Sequence, residues 1–376
     1  MKILLTGGGS GGHFYPLIAI VQELNLLIEE RKLVAPHYYY ISDRPYDEKA
    51  LFEYNIEFRK VSAGKLRLYF SLKNIFDIPR TIMGTLMALW KLFFLFPDVI
   101  VSKGGFASFP VVFAARILRI PVVVHESDAI PGRVNKFAGK FAKRIGIAYE
   151  EAAQYFPADR TALVGVPVRR ELVRPVREGA YEFLKLERDV PVIVVLGGSQ
   201  GAQKINDVVI DILPDLLTKY QIIHQAGTVN VEEIKSRLSI VIGKHEHKER
   251  YRMFGFLSST ALAMVAGVAK LAITRAGSTA IFEIACWGTP SIVIPIPESV
   301  SRDQHRNAYN FARTGAAVLL EEANLSPHII LSEIDRIMSS VDIQNNMSEH
   351  AKSFAKPEAA KKMAEAILDI VLSHER

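Results

Sequence analysis

Apolar residues gather along this chain in short consecutive runs: Ile3–Leu5, Tyr38–Ile41, Asp98–Val101 and Pro121–Val124. Strands buried on both faces of a parallel sheet have this pattern, because neither side has to alternate with residues facing water. Between the runs, Pro16–Glu30 and Phe106–Leu118 repeat apolar residues at three- and four-residue spacing, the period of a helix with one buried stripe. Over roughly the first 160 residues, repeated strand–helix units predict a doubly wound α/β domain.

The pattern restarts after the Pro- and Arg-rich stretch Gly165–Glu178, with Val192–Leu196, Gln221–His224, Leu271–Thr274 and Ser291–Pro295 as a second set of short apolar runs. A last amphipathic stretch, Pro357–Leu372, follows Lys356-Pro357. The expected division is 1–164, 165–355 and a C-terminal helix in 356–376 that is free to pack back on the first domain. A chain of 376 residues suits two domains of the usual size.

Composition narrows the class without choosing the function. At 49% hydrophobic and 23% charged, the chain is globular and neither disordered nor coiled-coil. Its single cysteine, Cys286, has no partner for an internal disulfide and reads as helix packing. The chain enters an apolar strand directly after Met1-Lys2, without the regions of a signal peptide, so a cytoplasmic location is expected. The formal net charge of +6 fits an anionic substrate, an anionic membrane surface or nucleic acid.

The candidate chemistry sits at strand–helix junctions. Residues 6–16 read Thr-Gly-Gly-Gly-Ser-Gly-Gly-His-Phe-Tyr-Pro, with five glycines in six positions between a strand and a helix. Such a loop lets backbone N–H groups and a positive helix end approach an anion or a hydroxyl-rich ligand. Gly7, Gly9 and Gly12 also satisfy G-x-G-x-x-G. However, Asp43 stands 36 residues after Gly7, where a dinucleotide fingerprint places its acid at roughly 20. Gly197-Gly198-Ser199-Gln200-Gly201-Ala202 is a second glycine turn, and Arg275-Ala276-Gly277-Ser278-Thr279 opens the helix that carries Glu283. A helix start for a diphosphate and an acid for two ribose hydroxyls favour a nucleotide diphosphate; alone, Glu283 could equally be a solvated helix residue.

His125 and Glu126 follow a strand at its carboxyl end, where open α/β sheets bind ligands. They suit acid–base work or the anchoring of a loop. There is no Asp-x-Asp and no His/Cys spacing for zinc, so neither metal nor other cofactor is expected.

Together, Thr6–Pro16, Gly64–Phe70, Ser102–Phe109, His125–Lys136, Gly165–Arg169, Gly197–Ala202, Arg275–Glu283 and Gln304–Ala308 resemble the MurG family of N-acetylglucosaminyltransferases over nearly the whole chain. The resemblance implies a GT-B glycosyltransferase, two Rossmann-like domains facing across a cleft, the acceptor lipid I on the first and UDP-N-acetylglucosamine on the second. It implies inverting, metal-independent transfer to the C4 hydroxyl of the N-acetylmuramoyl sugar, giving lipid II and UDP. By the family pattern His13 leads as general base and Glu126 is second. Ser10, Gly11, Gly12, Gly104, Gly105, Phe106, His125 and Asp128 fall in the acceptor and diphosphate loops. Arg169, Ser199, Gln200, Arg275, Gly277, Glu283, Gln304 and Asn307 fall at donor positions, Glu283 on the ribose and Gln304 towards the sugar.

Five positions depart from that pattern: Asp128 for Asn, Phe106 for Tyr, Val166 for Asn, Ala276 for Ser and Asp303 for Gln. An added carboxylate at Asp128 beside a pyrophosphate requires a compensating base, for which Arg133 is the sequence candidate.

A polyprenyl acceptor implies work at the cytoplasmic face of the plasma membrane, as a peripheral protein. Between Lys65 and Lys91, five basic residues stand against Asp77 and interleave with Leu68, Tyr69, Phe70, Ile75 and Phe76, the expected contact with anionic lipid. Thr81–Phe96 is sixteen residues long and contains Lys91, short of the roughly 20 needed to span, so no crossing is expected. Leu86–Phe96 is expected to be a buried helix. The rivals are a UDP-N-acetylglucosamine epimerase or glycolipid glycosyltransferase on the same fold, and a dinucleotide-dependent oxidoreductase. A basic membrane- or nucleic-acid-binding protein would rest on charge alone, and no nucleic acid is expected.

Overall fold

A computed structural model describes residues 1–65, 73–198, 201–300 and 302–373, apart from the side chains of 73–76 and 302. The chain forms two compact units, Met1–Arg169 with Lys356–Arg376, and Arg170–Ala355.

In the first unit, β1 (Lys2–Thr6), β2 (His37–Ser42), β3 (Ile56–Lys60), β4 (Val99–Ser102), β5 (Val122–Glu126), β6 (Arg144–Ile147) and β7 (Thr161–Leu163) form one parallel sheet in the order β3-β2-β1-β4-β5-β6-β7. The order reverses at β1, the topological switch that leaves room for a ligand beyond the strand ends. Register aligns Thr6 with Ser102 and Ser102 with Val124, so Gly7, Lys103 and His125 leave one edge side by side.

Both faces are covered. The helix Gly11–Glu30 and the C-terminal helix Ala359–Ser373 share a core with the sheet through Leu17, Val21, Leu24, Met363, Ile367 and Leu368. Each such side chain contributes about 1.5–3 kcal/mol on burial, which seats the C-terminal helix on this unit. On the other face, Ala88 and Leu92 of the helix Lys73–Leu95 meet Val111 and Ala115 of the helix Phe109–Leu118.

The helix Lys73–Leu95 corrects the expectation of a buried Leu86–Phe96. Ala88, Leu92 and Leu95 are buried, but Leu86, Trp90, Phe93, Phe94 and Phe96 are 57–69% exposed. The run is continuous because two faces are apolar, one packed on the body and one open. The window Asp77–Leu95 is long and apolar enough to span a bilayer by length and composition, but its inner face belongs to the core of the first unit. Leu68, Tyr69 and Phe70, and the side chains of Ile75 and Phe76, lie outside the described residues.

The second unit repeats the plan with β8 (Val192–Leu196), β9 (Gln221–Gln225), β10 (Tyr251–Phe254), β11 (Ala269–Arg275), β12 (Ser291–Ile294) and β13 (Ala317–Leu319), parallel in the order β10-β9-β8-β11-β12-β13. Its core joins Ile193, Val195, Ile205, Val209, Leu271 and Ile334. Both units are therefore doubly wound and Rossmann-like.

Candidate active site

The first glycine loop is shaped by close packing. A Cβ on Gly8 would lie 2.3 Å from that of Ala107, and Gly105, at φ +82°, is backed by the Gly8 carbonyl. Tyr40 Oη and Ser42 Oγ both donate to the Gly7 carbonyl, at 2.7 and 2.9 Å, and hold the turn from β2. These contacts bring the loop after β1 against Gly104, Gly105 and Phe106, whose ring covers Gly9.

The helix then starts at Gly11 with Ser10 in extended conformation before it. Ser10 Oγ lies 3.0 Å from His13 Nδ1, so the residue that precedes the helix orients the imidazole. Desolvation, with Lys103 as a second cause and Asp128 in opposition, lowers His13 to about 4, and the ring is neutral at physiological pH.

Beneath this loop lies a charged cluster. Glu126, 3% exposed, accepts from Asp128 N–H (2.9 Å), Gly132 N–H (3.0 Å) and Asn135 Nδ2 (3.0 Å). Burial first and Asp128 second raise its carboxyl to about 7, against the pull of Lys103 and of the Asp128 and Asn135 hydrogen bonds. Lys103 is 2% exposed, its backbone N–H bonded to the Thr6 carbonyl. Burial pulls its ammonium down while Glu126 and Asp128 push it up. Asp128 itself is half-buried. Lys103 is a base whose ammonium responds to Asp128, and Arg133, the sequence candidate, is exposed.

His125 has a different part. It is fully buried, and its Nε2 lies 2.8 Å from the Gly165 carbonyl, to which it donates, while Nδ1 has no partner. Burial holds it well below the usual histidine range, which makes it a neutral tie between the β5 end and the segment after β7. Arg169, 5% exposed, belongs to this unit too, with its guanidinium 4.0 Å above the ring of Tyr15.

In the second unit, Gly198 and Gly201 turn at positive φ, and Ser199 and Gln200 between them lie outside the described residues. Arg275, the last residue of β11, pairs with Glu322 and reaches towards the Ile294 and Pro295 carbonyls at 3.4 Å. Gly277 precedes the helix Ser278–Trp287, with open space where a Cβ would stand. Glu283 on that helix is 7% exposed, so it is no solvated helix residue. Gln304 Oε1 accepts from Ile296 N–H at 3.4 Å, and Asn307 is fully buried on the helix Arg302–Ala312.

Thus Ser10, His13, Gly104, Gly105, Glu126 and Asp128 gather on one edge, and Arg275, Gly277, Glu283, Gln304 and Asn307 belong to the second unit. Sequence reasoning passed over Lys103 and Asn135. The signal for Lys103 was available: a lysine between the apolar strand Val99–Ser102 and a glycine pair has no room for a solvated side chain.

Residues 3–147 match the family model described as glycosyltransferase family 28 N-terminal domain, and residues 192–363 that of the C-terminal domain. The chain is similar to the UDP-N-acetylglucosamine–N-acetylmuramyl-(pentapeptide) pyrophosphoryl-undecaprenol N-acetylglucosamine transferase 3 of Bacillus thuringiensis (strain Al Hakam), at 38% identity over 92% of this chain and 93% of that protein. The transferase of the same name from Listeria welshimeri is 32% identical over 99% of this chain and 100% of its own length. Among solved structures, Acinetobacter baumannii MurG superposes with TM-score 0.70 at 22% identity, covering 98% of this chain and 99% of that one. A Neisseria meningitidis UDP-GlcNAc 2-epimerase bound to UDP-GlcNAc reaches TM-score 0.68 at 12% identity, over 98% of this chain and 100% of that one; at these identities the likeness is one of fold, that of GT-B enzymes.

Proposed function

This chain belongs to the MurG family of N-acetylglucosaminyltransferases, and from that premise we propose that it transfers N-acetylglucosamine from UDP-N-acetylglucosamine to the C4 hydroxyl of the N-acetylmuramoyl sugar of lipid I, giving lipid II and UDP in peptidoglycan synthesis. The observation that carries this reading is near-full-length similarity to transferases of that name, on a chain whose first glycine loop presents a neutral, oriented histidine.

The hydroxyl oxygen attacks the anomeric carbon as the bond to the UDP oxygen breaks, and the configuration inverts. With His13 Nδ1–H donating to Ser10 Oγ, Nε2 keeps its lone pair for the hydroxyl proton. A pKa near 4 is low for a base, but the attacking oxygen becomes strongly acidic as its bond to carbon forms, so late proton transfer to a neutral imidazole is downhill. Glu126, with three N–H donors on its carboxylate, holds the loop 127–132 for the acceptor diphosphate.

On the donor side, the start of the helix Ser278–Trp287 faces the diphosphate and offsets the charge that develops on leaving UDP. Glu283 accepts the ribose hydroxyls, and Glu322 holds the Arg275 guanidinium beside this helix start. Ser199, Gln200, Gln304 and Asn307 are assigned to the remaining donor contacts by the family pattern, as is Arg169, whose guanidinium stacks on Tyr15 within the first unit.

The polyprenyl acceptor requires a membrane-facing surface, which the open face of the helix Lys73–Leu95 supplies through Ile82, Leu86, Trp90, Phe93 and Phe94, with Arg80 and Arg116 exposed nearby. From the sequence alone, Leu68, Tyr69, Phe70, Ile75 and Phe76 are assigned to the same lipid contact. The protein then works as a peripheral enzyme on the cytoplasmic leaflet.

The test is incubation with UDP-[labelled N-acetylglucosamine] and a short-chain lipid I analogue in excess EDTA. Label in a disaccharide product is expected. Free UDP with epimerised sugar, or transfer only after Mg²⁺ is restored, would sink the proposal.

A further inference from the structure

Two features of the first unit are each costly alone. Glu126 and Asp128 place two carboxylates two residues apart, one of them 3% exposed, and such a pair normally retains a proton. Lys103 places an ammonium in a position 2% exposed, where an isolated charge is strongly disfavoured. They lie on one strand edge: β4 pairs with β5 and the turn after β4 carries Lys103, while Glu126 ends β5.

We propose that Lys103 is a positioning residue of the acceptor half-site: its buried ammonium balances Glu126 and Asp128 together and so keeps the loop 127–132 in its acceptor-holding form. This rests on the transferase reading given above. The chain of effect runs through Glu126, whose two oxygens accept the backbone N–H groups of Asp128 and Gly132. As a carboxylate it binds both strongly; once protonated it loses the charge that strengthens these bonds, and the loop loosens. Among the described residues, Glu126 feels Asp128 from the following loop and Lys103 from the turn after β4, while His13 on the first helix and His125 on β5 feel Lys103 in turn, and Asn135 on the helix Arg133–Gly139 donates its neutral amide to Glu126.

The signs follow. Glu126 is raised to about 7 with Lys103 in place, so its carboxylate persists above that pH and is lost below it. Removal of Lys103 moves the transition upward, and removal of Asp128 moves it back. A purely space-filling Lys103 would do neither.

The experiment compares the full-length wild type with K103M, D128N and K103M/D128N between pH 6 and 9, by steady-state kinetics on UDP-N-acetylglucosamine and a short-chain lipid I analogue. At pH 7, K103M should raise the acceptor KM about fivefold, since a one-unit upward shift from about 7 cuts the ionised fraction of Glu126 from about one half to about one eleventh. Donor KM should not move, the defect should fade towards pH 9, and D128N should rescue it at pH 7. A pH-independent loss that D128N does not restore, or no change at all, overturns the proposal. If K103M does not fold, D128N alone decides: the acid limb of its acceptor KM should move to lower pH, and an unmoved limb refutes the pairing. Melting temperature gives a readout free of catalysis: the gap between wild type and K103M should widen from pH 6 to 8.5 and close in the double variant. That pattern in a protein without transferase activity would leave the charge balance standing and sink the transferase reading. An active wild type whose gap stays constant would do the reverse.

Discussion

The two sheets share one plan, a parallel doubly wound scaffold with its chemistry at the strand ends, yet the two edges are opposite in character. In the first unit, the ends of β1, β4 and β5 bring His13, Lys103 and Glu126 into a desolvated cluster, with His13 lowered to about 4 and Glu126 raised to about 7. In the second, the ends of β8, β11 and β12 carry a glycine turn, an Arg275–Glu322 ion pair and the loop tied to Gln304. Its buried His224, lowered to about 3 by desolvation, is spent on Asn206 and Tyr251 within the core. The difference teaches that the scaffold is neutral towards chemistry. The displaced ionisations of His13 and Glu126 lie at the strand ends of the first unit, whereas that of His224 lies within the core of the second.

The largest effect should come from the first edge. His13→Ala is expected to lower kcat at least about 10²-fold, the lower range for general-base assistance, with donor affinity unchanged. Because His13 protonates only near 4, wild-type kcat should stay level from pH 8 to 5 and decline below that. A kcat limb near 7, with activity retained in His13→Ala and lost in Glu126→Ala, would move the base to Glu126 and reverse the roles given to these two residues.

The second edge should respond in binding rather than in turnover. Glu283→Ala removes a charged acceptor and should weaken UDP-N-acetylglucosamine binding by about 1.5–3 kcal/mol. Calorimetry checks this directly, and unchanged affinity in a folded variant would take Glu283 out of the donor site.

The smallest effect concerns the open face of the helix Lys73–Leu95. Trp90→Ser, Phe93→Ser and Phe94→Ser combined should reduce binding to anionic vesicles and activity on long-chain lipid I, with the soluble analogue turned over at the normal rate. These side chains are 63–69% exposed, so the core should survive their loss. Equal loss on both substrates would mean that the helix Lys73–Leu95 matters for folding alone.

The central strands were legible because burial on both faces leaves consecutive apolar residues, as in Val99–Val101 and Val192–Leu196. The edge strands were not. β3 carries Glu57 and Arg59, β7 is mostly exposed, and β10 and β13 are half-buried, so no run of apolar residues announces them. The first helix begins at Gly11, five residues before the Pro16 from which its period is readable, since glycines carry no hydrophobic pattern.

Local sequence determined the glycine turns, the twin strand–helix plan and the residues at the strand ends, because backbone freedom, apolar period and side-chain chemistry are properties of neighbours along the chain. Tertiary structure alone decided which side of the helix Lys73–Leu95 is packed, since two apolar faces look the same until one meets the sheet. It also decided that Lys103 answers Asp128 and that His125 is a tie to Gly165, because ionisation and hydrogen bonding depend on what parallel pairing of β1, β4 and β5 places alongside.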